Sequence, residues 1–76
     1  MAIKRTSKEA IYLQQLETMT RFFEKMHETR EKTYNRRSDN WQESEKGEGE
    51  QENLEALQNI NDTLNEALEQ LNELFE

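Results

Sequence analysis

Two stretches of the chain repeat apolar residues at alternating spacings of three and four, which is the periodicity of one face of an α-helix. In the first stretch these residues are Tyr12, Leu16, Met19, Phe23 and Met26. In the second they are Leu57, Ile60, Leu64, Ala67, Leu71 and Leu74, an a/d-like pattern of helical bundles and coiled coils. We call these eleven residues the apolar stripes. Because the chain also lacks Pro and Val, the pattern predicts an all-α fold, with "TSKE" offering Thr6 and Glu9 as a capping box.

The apolar content is too small for a large core of its own. Among 76 residues with a net charge of −7, Leu, Ile and Phe make up about 18%, which is close to the composition of disordered chains. No cysteine is available for disulfides, and association is the usual remedy for so small a core. Ile11, Leu13, Phe22 and Phe75 lie beside the stripes and exceed what one partner helix covers. The sequence therefore predicts a homo-oligomeric bundle, a dimer or larger.

The two halves of the chain carry opposite charge. Residues 1–37 contain nine Lys or Arg and five Glu, whereas residues 38–76 contain Lys46 and twelve Asp or Glu. Opposite charges attract, so the halves favour an antiparallel helical hairpin or pairing between the two segments of different copies. We expect residues 1–76 to form one small domain, with two long helices and a short third helix as an alternative.

The position of the turn has two alternatives. The "GEG" segment, Gly47 and Gly49, is the strongest local helix breaker. A turn at residues 36–40, in "RRSDN", instead provides capping residues for the next helix and brings apolar residues together. This second register sets Leu16, Met19 and Phe23 opposite Ile60, Leu57 and the neighbourhood of Leu54.

We prefer the turn at residues 36–40, with GEG as a weak joint within the second helix. In that version, changing both Gly47 and Gly49 to Ala should stabilise the protein. The alternative has a short helix from Trp41 to Lys46, a break at GEG and a third helix after it.

Residues that carry catalysis or bind metals are scarce. His27 is the only histidine, and no serine lies in a nucleophile or P-loop motif. The carboxylates lie on predicted exposed faces, where nothing separates their pKa values as acid–base catalysis requires. We therefore expect a non-enzyme without catalytic residues, metal or cofactor, in which His27 is structural. No apolar run reaches the length of a signal or a membrane span, so we expect a cytoplasmic protein that does not bind membranes.

One cluster of side chains is the candidate binding site: Arg30, Tyr34, Arg37 and Trp41. The first three continue the helical face of the first stripe, and Trp41 follows the preferred turn. Guanidinium groups bind phosphates and carboxylates, and aromatic rings stack on planar groups. The cluster is therefore a candidate for binding a small anionic nucleotide, a peptide or an acidic partner.

Two other interpretations compete with this site. In the first, the cluster is structural: Arg30 and Arg37 pair with Glu45 and Glu48, and the aromatic rings close the end of the bundle. In the second, the acidic segment from residue 51 to 76, which has seven Asp or Glu and no Lys or Arg, mimics a nucleic acid toward a basic protein. Direct DNA binding is not expected, because the acidic half neutralises the modest basic half.

The segment "YNRRSDNWQESEKGE", followed by a Leu-rich acidic helix, resembles a pattern in small helical proteins of phages and other mobile elements. The resemblance covers residues 34 to about 75 and assigns no site residues. In that pattern the position of Gly49 is usually not glycine, which disfavours a break at GEG. It implies a small binder that acts against a host system. The leading interpretation is a protein-interaction or inhibitor module, and the alternatives are an oligomeric sponge for a signalling nucleotide and the acidic mimic.

Overall fold

The computed structural model describes residues 3–75 and consists of three helices. They are α1 (Ser7–Asn35), α2 (Asp39–Glu43) and α3 (Glu45–Leu74). The long helices α1 and α3 form a hairpin and α2 packs against α3, which confirms the all-α class, the two long helices and the short third. The molecule measures 54 × 18 × 13 Å. A helix with its side chains is about 10–12 Å across, so the hairpin is a single layer with two open sides.

Side chains satisfy the free backbone groups at both ends of α1. Glu9 N donates to Thr6 Oγ1 at 3.2 Å and Thr6 N donates to Glu9 Oε2 at 2.8 Å, which confirms the predicted capping box. At the other end, Gln42 Nε2 donates to Tyr34 O at 3.0 Å and to Arg37 O at 3.1 Å. Carbonyls in the last turn of a helix lack intrahelical partners, so the Gln42 amide ties α2 to the end of α1.

The chain turns at residues 36–38, as preferred, and two serines start the helices that follow. Trp41 N donates to Ser38 Oγ and Gly47 N donates to Ser44 Oγ, each at 3.3 Å. The prediction of one continuous second helix is wrong, because Ser44 is extended, with φ −71° and ψ 166°, and separates α2 from α3. The alternative break at GEG is also wrong, since both glycines lie within α3 and neither has a positive φ.

The register between α1 and α3 also differs from the predicted one. Asn61 Nδ2 donates to Phe23 O at 3.4 Å, so Phe23 lies opposite Asn61 rather than near Leu54. The shift is about two helical turns. It arises because the five residues of α2, which the prediction counted as part of the second helix, lie across the end of the hairpin.

The seam between α1 and α3 is narrow and polar at its centre. Thr20 is 1% exposed and donates through Oγ1 to Leu16 O at 2.7 Å. Asn61 is also buried, and its Oδ1 has no hydrogen-bond partner within the described residues. Leu54, at 9% exposure, is the only buried apolar side chain in residues 3–75. The hairpin therefore holds together with little apolar burial of its own.

The two glycines of α3 occupy different environments, and this corrects the expectation that Ala is tolerated at both. Gly47 is buried against α2: a Cβ there would lie 2.5 Å from Gln42 O and 2.6 Å from Gln42 Cα, and closer still to Trp41 O. A Cβ on Gly49 would meet nothing within 4 Å. Only Gly47 is required for the close approach of α2 to α3.

We expect Gly47→Ala to destabilise the protein by about 1–3 kcal/mol, because the methyl group forces α2 away from α3. Gly49→Ala should stabilise it by up to ~1 kcal/mol, because Ala has the higher helix propensity in an open position. Thermal unfolding at one fixed protein concentration measures both. Equal midpoints for the two variants would contradict the placement of α2 on Gly47.

Candidate functional site

The two apolar stripes lie on the same side of the hairpin. Met19 comes one residue before Thr20, and Ile60 comes one residue before Asn61, the two residues buried in the seam. A step of one residue turns a side chain by about 100° around the helix axis. Because the helices are antiparallel, the same step toward the N-terminus points to the same side on both. Side chains of both helices accordingly line an apolar groove of about 220 Å³ that includes Tyr12, Leu16, Leu71 and Phe75.

None of the eleven stripe residues is buried. Five are 37–59% exposed, and the other six are half-buried. The opposite side of the hairpin is polar and carries Glu17, Arg21, Glu24, Asn65 and Asn72 around a second groove. We call the side with the stripes the apolar face. A monomeric protein rarely exposes so continuous an apolar surface, and such surfaces mark interaction sites.

The apolar face widens along the outer edge of α1. Ile11 is 59% and Phe22 is 63% exposed, and the Phe22 ring meets Phe23 edge-on with centroids 5.4 Å apart. Four apolar residues beside the stripes were predicted to exceed the surface that one partner helix covers, and these two are the ones left exposed. Leu13 and Phe75 differ, because both are half-buried within the chain.

The four predicted site residues come together at the turn end of the hairpin. They line one cleft of about 380 Å³, which we call the arginine–aromatic cleft. Its lining consists of Thr29, Arg30, Thr33, Tyr34, Arg37, Trp41 and Glu50. Arg30 comes four residues after Met26 on α1, so the cleft continues the apolar face toward the turn.

Arg30 is held by an acidic residue of α3. Arg30 Nε donates to Glu50 Oε1 and Arg30 Nη2 donates to Glu50 Oε2, both at 3.0 Å. The Glu50 side chain is only 23% exposed. A bidentate pair of this kind fixes the guanidinium plane and is stronger than a single contact.

Arg37 has a different environment. Its Cζ lies 4.2 Å from the centroid of the Trp41 ring, which is the geometry of a cation–π contact. Tyr34 meets Trp41 nearly edge-on, with centroids 6.0 Å apart, and its hydroxyl donates to Gln51 Oε1 at 3.3 Å. Within residues 3–75, no carboxylate forms an ion pair with Arg37. Its charge is therefore open to an anion from outside the chain.

The structural interpretation of the cluster named the wrong partners. Neither Glu45 nor Glu48 pairs with Arg30, because the shifted register brings Glu50 opposite it. Sequence reasoning also missed Thr29 and Thr33 in the cleft lining. The available signal was spacing, since Thr29 and Thr33 precede Arg37 by eight and four residues, which is the spacing of one helical face continued past the end of α1.

The other ionisable groups of note lie away from the cleft. Lys32 Nζ lies 3.1 Å from Glu28 Oε1, and this hydrogen bond lowers the pKa of the exposed Glu28 carboxyl. His27 is half-buried beside α3, with Nδ1 3.7 Å from a carboxylate oxygen of Glu31. In residues 3–75, no group of three or more His, Cys, Asp or Glu side chains is placed to hold a metal ion. None of the described helices combines the length and hydropathy needed to cross a bilayer.

No family model, no curated protein and no solved structure matches this chain. The resemblance of residues 34 to about 75 to small helical phage proteins therefore stays a prediction. The apolar face and the arginine–aromatic cleft are the features of the described residues that bear on function.

The Arg30–Glu50 pair yields a prediction about stability. Arg30→Gln should cost about 1 kcal/mol or more, because it leaves the Glu50 carboxylate with little solvent and no cation. Arg21→Gln is the matched control. It breaks an exposed pair with Glu17 within one helix, which is worth only about 0.3–0.5 kcal/mol.

Adding Glu50→Gln to Arg30→Gln should recover part of the loss, because the second change removes the orphaned charge. Chemical unfolding of the single and double variants gives the coupling energy. A loss for Arg30→Gln no greater than that for Arg21→Gln would show that the pair is only a surface contact.

Proposed function

We propose that this chain is a non-enzymatic, self-associating helical protein that acts by binding another protein. The observation that carries the proposal is the apolar face. The residues with the periodicity of a bundle core are the ones that the single chain leaves exposed, while Leu54 is its only buried apolar side chain among residues 3–75. A second helical layer over this face would give the stripes the burial that their pattern predicts.

The size of the apolar face supports association. A fully exposed large apolar side chain offers roughly 200 Å². Five stripe residues at about half exposure and six partly exposed ones then present on the order of 700 Å² per copy. One partner contributes about 800 Å² to an interface of standard size, so the face is large enough for a stable assembly.

The surface that remains after assembly suggests the chemistry of the bound protein. α3 carries nine acidic residues and one lysine. Asp62 follows the seam residue Asn61 by one position, which places it on the polar side, away from the apolar face. An acidic outer surface favours a partner with a basic surface, because charge complementarity accelerates encounter and rejects like-charged proteins. An inhibitor of a host protein, as the phage resemblance implies, would act in this way.

Assembly is tested by Ile60→Asp, with Gln58→Asp as the matched control. Both variants add one negative charge to α3, but Ile60 lies in the apolar face and Gln58 lies in the polar groove beside His27. We expect the wild-type protein to be a dimer or larger at micromolar concentration, with a thermal midpoint that rises with concentration. Ile60→Asp should weaken assembly by about 30-fold or more, since burying the charge costs at least ~2 kcal/mol, and Gln58→Asp should not.

Sedimentation equilibrium and melting curves over a range of concentrations provide the readouts. If Ile60→Asp also loses helical structure, the two variants are compared by their melting temperatures. A lower melting temperature for Ile60→Asp than for Gln58→Asp then shows that folding and assembly are coupled. A wild-type protein that is monomeric, fully helical and insensitive to concentration would refute self-association.

A second candidate function is sequestration of a small anionic ligand, and the environment of Arg37 favours it. This guanidinium is held against an aromatic ring without an ion pair to a described carboxylate. The cleft also carries the hydroxyls of Thr29 and Thr33, and that of Thr33 already donates to Thr29 O at 3.0 Å. A phosphate group could accept from Arg37 while a planar base contacts the aromatic rings.

Arg37→Gln and Arg36→Gln separate this candidate from a general effect of charge. Arg36 is the neighbouring exposed residue and does not line the cleft. If the cleft binds phosphate or a nucleotide, either ligand should raise the melting temperature of the wild-type protein and of Arg36→Gln, but not that of Arg37→Gln. Equal responses of all three proteins would leave the cleft as a structural end of the hairpin.

A further inference from the structure

We infer that two copies pack with their apolar faces together so that α1 of each copy lies over α3 of the other, related by a two-fold axis parallel to the helices. The inference rests on the proposed self-association and adds its geometry. The product is a four-helix bundle in which the turn ends of both hairpins lie at the same end.

The register within one hairpin sets the register between copies. Phe23 and Asn61 lie at the same height along the hairpin, since the Asn61 amide donates to the Phe23 carbonyl. A rotation about an axis parallel to the helices keeps every height unchanged. In antiparallel helices, a residue of α1 and a residue of α3 lie at the same height when their numbers add up to about 84, as Phe23 and Asn61 do. Such residues therefore lie opposite each other between the two copies as well as within one hairpin.

This arrangement matches one stripe with the other along its whole length. Apolar residues of α1 stand at the heights of apolar residues of α3 in the second copy. The facing pairs are Tyr12 with Leu71, Met19 with Leu64, Phe23 with Ile60, and Met26 with Leu57. Leu16 and Ala67 form a fifth pair in the same register, so ten of the eleven stripe residues are paired without any shift of one hairpin along the other.

The competing arrangement has its two-fold axis across the helices, which sets α1 on α1 and α3 on α3. It also buries apolar surface, so burial alone does not choose between the two. Full overlap of the α1 stripes then pairs residues whose numbers add up to 38, which sets Lys8 beside Arg30 of the second copy. Lys8 then faces the Arg30–Glu50 ion pair, which is charged and gives this end of the α1 contact no apolar burial.

Net helix charge favours the same choice. α1 contains five Lys or Arg and five Glu and is neutral, whereas α3 has a net charge of −8. Pairing α3 with α3 sets two strongly acidic helices side by side, and pairing α3 with α1 avoids this. The repulsion is screened beyond about 8 Å at physiological salt, so its contribution is largest at low ionic strength.

The arrangement has a consequence for the arginine–aromatic cleft. The cleft opens on the same side as the apolar face, so the clefts of the two copies face each other at one end of the bundle. By the same register, Thr33 of one copy stands at the height of Glu50 of the other. The second copy therefore completes the wall of each cleft, and a ligand there would lie near the two-fold axis.

Disulfide cross-linking of single-cysteine variants tests the arrangement, because the chain has no cysteine of its own. Met19→Cys in a tagged chain is mixed with untagged Leu64→Cys, and the mixture is unfolded, refolded and mildly oxidised. Leu74→Cys replaces Leu64→Cys as the out-of-register control, because it lies ten residues further along α3, a distance of about 15 Å. Mass spectrometry counts the disulfides of each kind.

We expect the 19–64 disulfide to form at least about five times as fast as the 19–74 disulfide, because a disulfide requires Cα atoms within ~7 Å. It should also exceed the 19–19 disulfide. Predominance of 19–19 would establish α1 on α1 and overturn the arrangement, while leaving self-association intact. An assembled protein without the 19–64 disulfide would overturn it as well. Monomeric masses for the wild-type protein and all three cysteine variants, with no cross-link, would overturn self-association itself.

Discussion

The centre of the seam between α1 and α3 is the constraint on which the rest of this structure depends. Thr20 is small and satisfies its hydroxyl within its own helix, so the two backbones approach each other where a large side chain would keep them apart. Asn61 reaches across to the Phe23 carbonyl and fixes the height of one helix against the other. A buried amide of this kind contributes more to register than to stability. The large apolar side chains of the two stripes are consequently turned away from the centre of the seam.

This division gives each long helix two surfaces with different roles. The seam residues repeat every seven positions. They are Leu13, Thr20, His27 and Tyr34 on α1, Leu54, Asn61 and Leu68 on α3, and Phe75 directly after α3. The apolar stripes repeat at the same period, one step around each helix. Because the hairpin is one layer thick, the described chain buries none of them fully: five stay exposed and six are half-buried. A chain of this size gains most of its apolar burial only when another layer is added.

The turn end connects the fold to the candidate ligand site. α2 packs closely on α3 at Gly47, and its Gln42 amide closes the end of α1. Together these contacts hold Trp41 beneath the Arg37 guanidinium and bring Glu50 to Arg30. The same short helix displaces the register by about two turns. The packing of α2 at the turn therefore also determines which residues line the arginine–aromatic cleft.

The sequence by itself determined the two long helices, the capping box of α1 and four of the seven residues that line the cleft. Periodicity, the Thr6 and Glu9 spacing and the helical count from Arg30 to Arg37 are local properties, so they can be read without a fold. Only the tertiary structure decided that the chain bends at Ser44, that Gly47 is indispensable while Gly49 is not, and that Glu50 is the partner of Arg30. It also decided that the stripes form one exposed face rather than the seam. These outcomes depend on contacts between residues far apart in the sequence, because the pairing of α1 with α3 has to leave room for α2. Local sequence patterns do not contain this information.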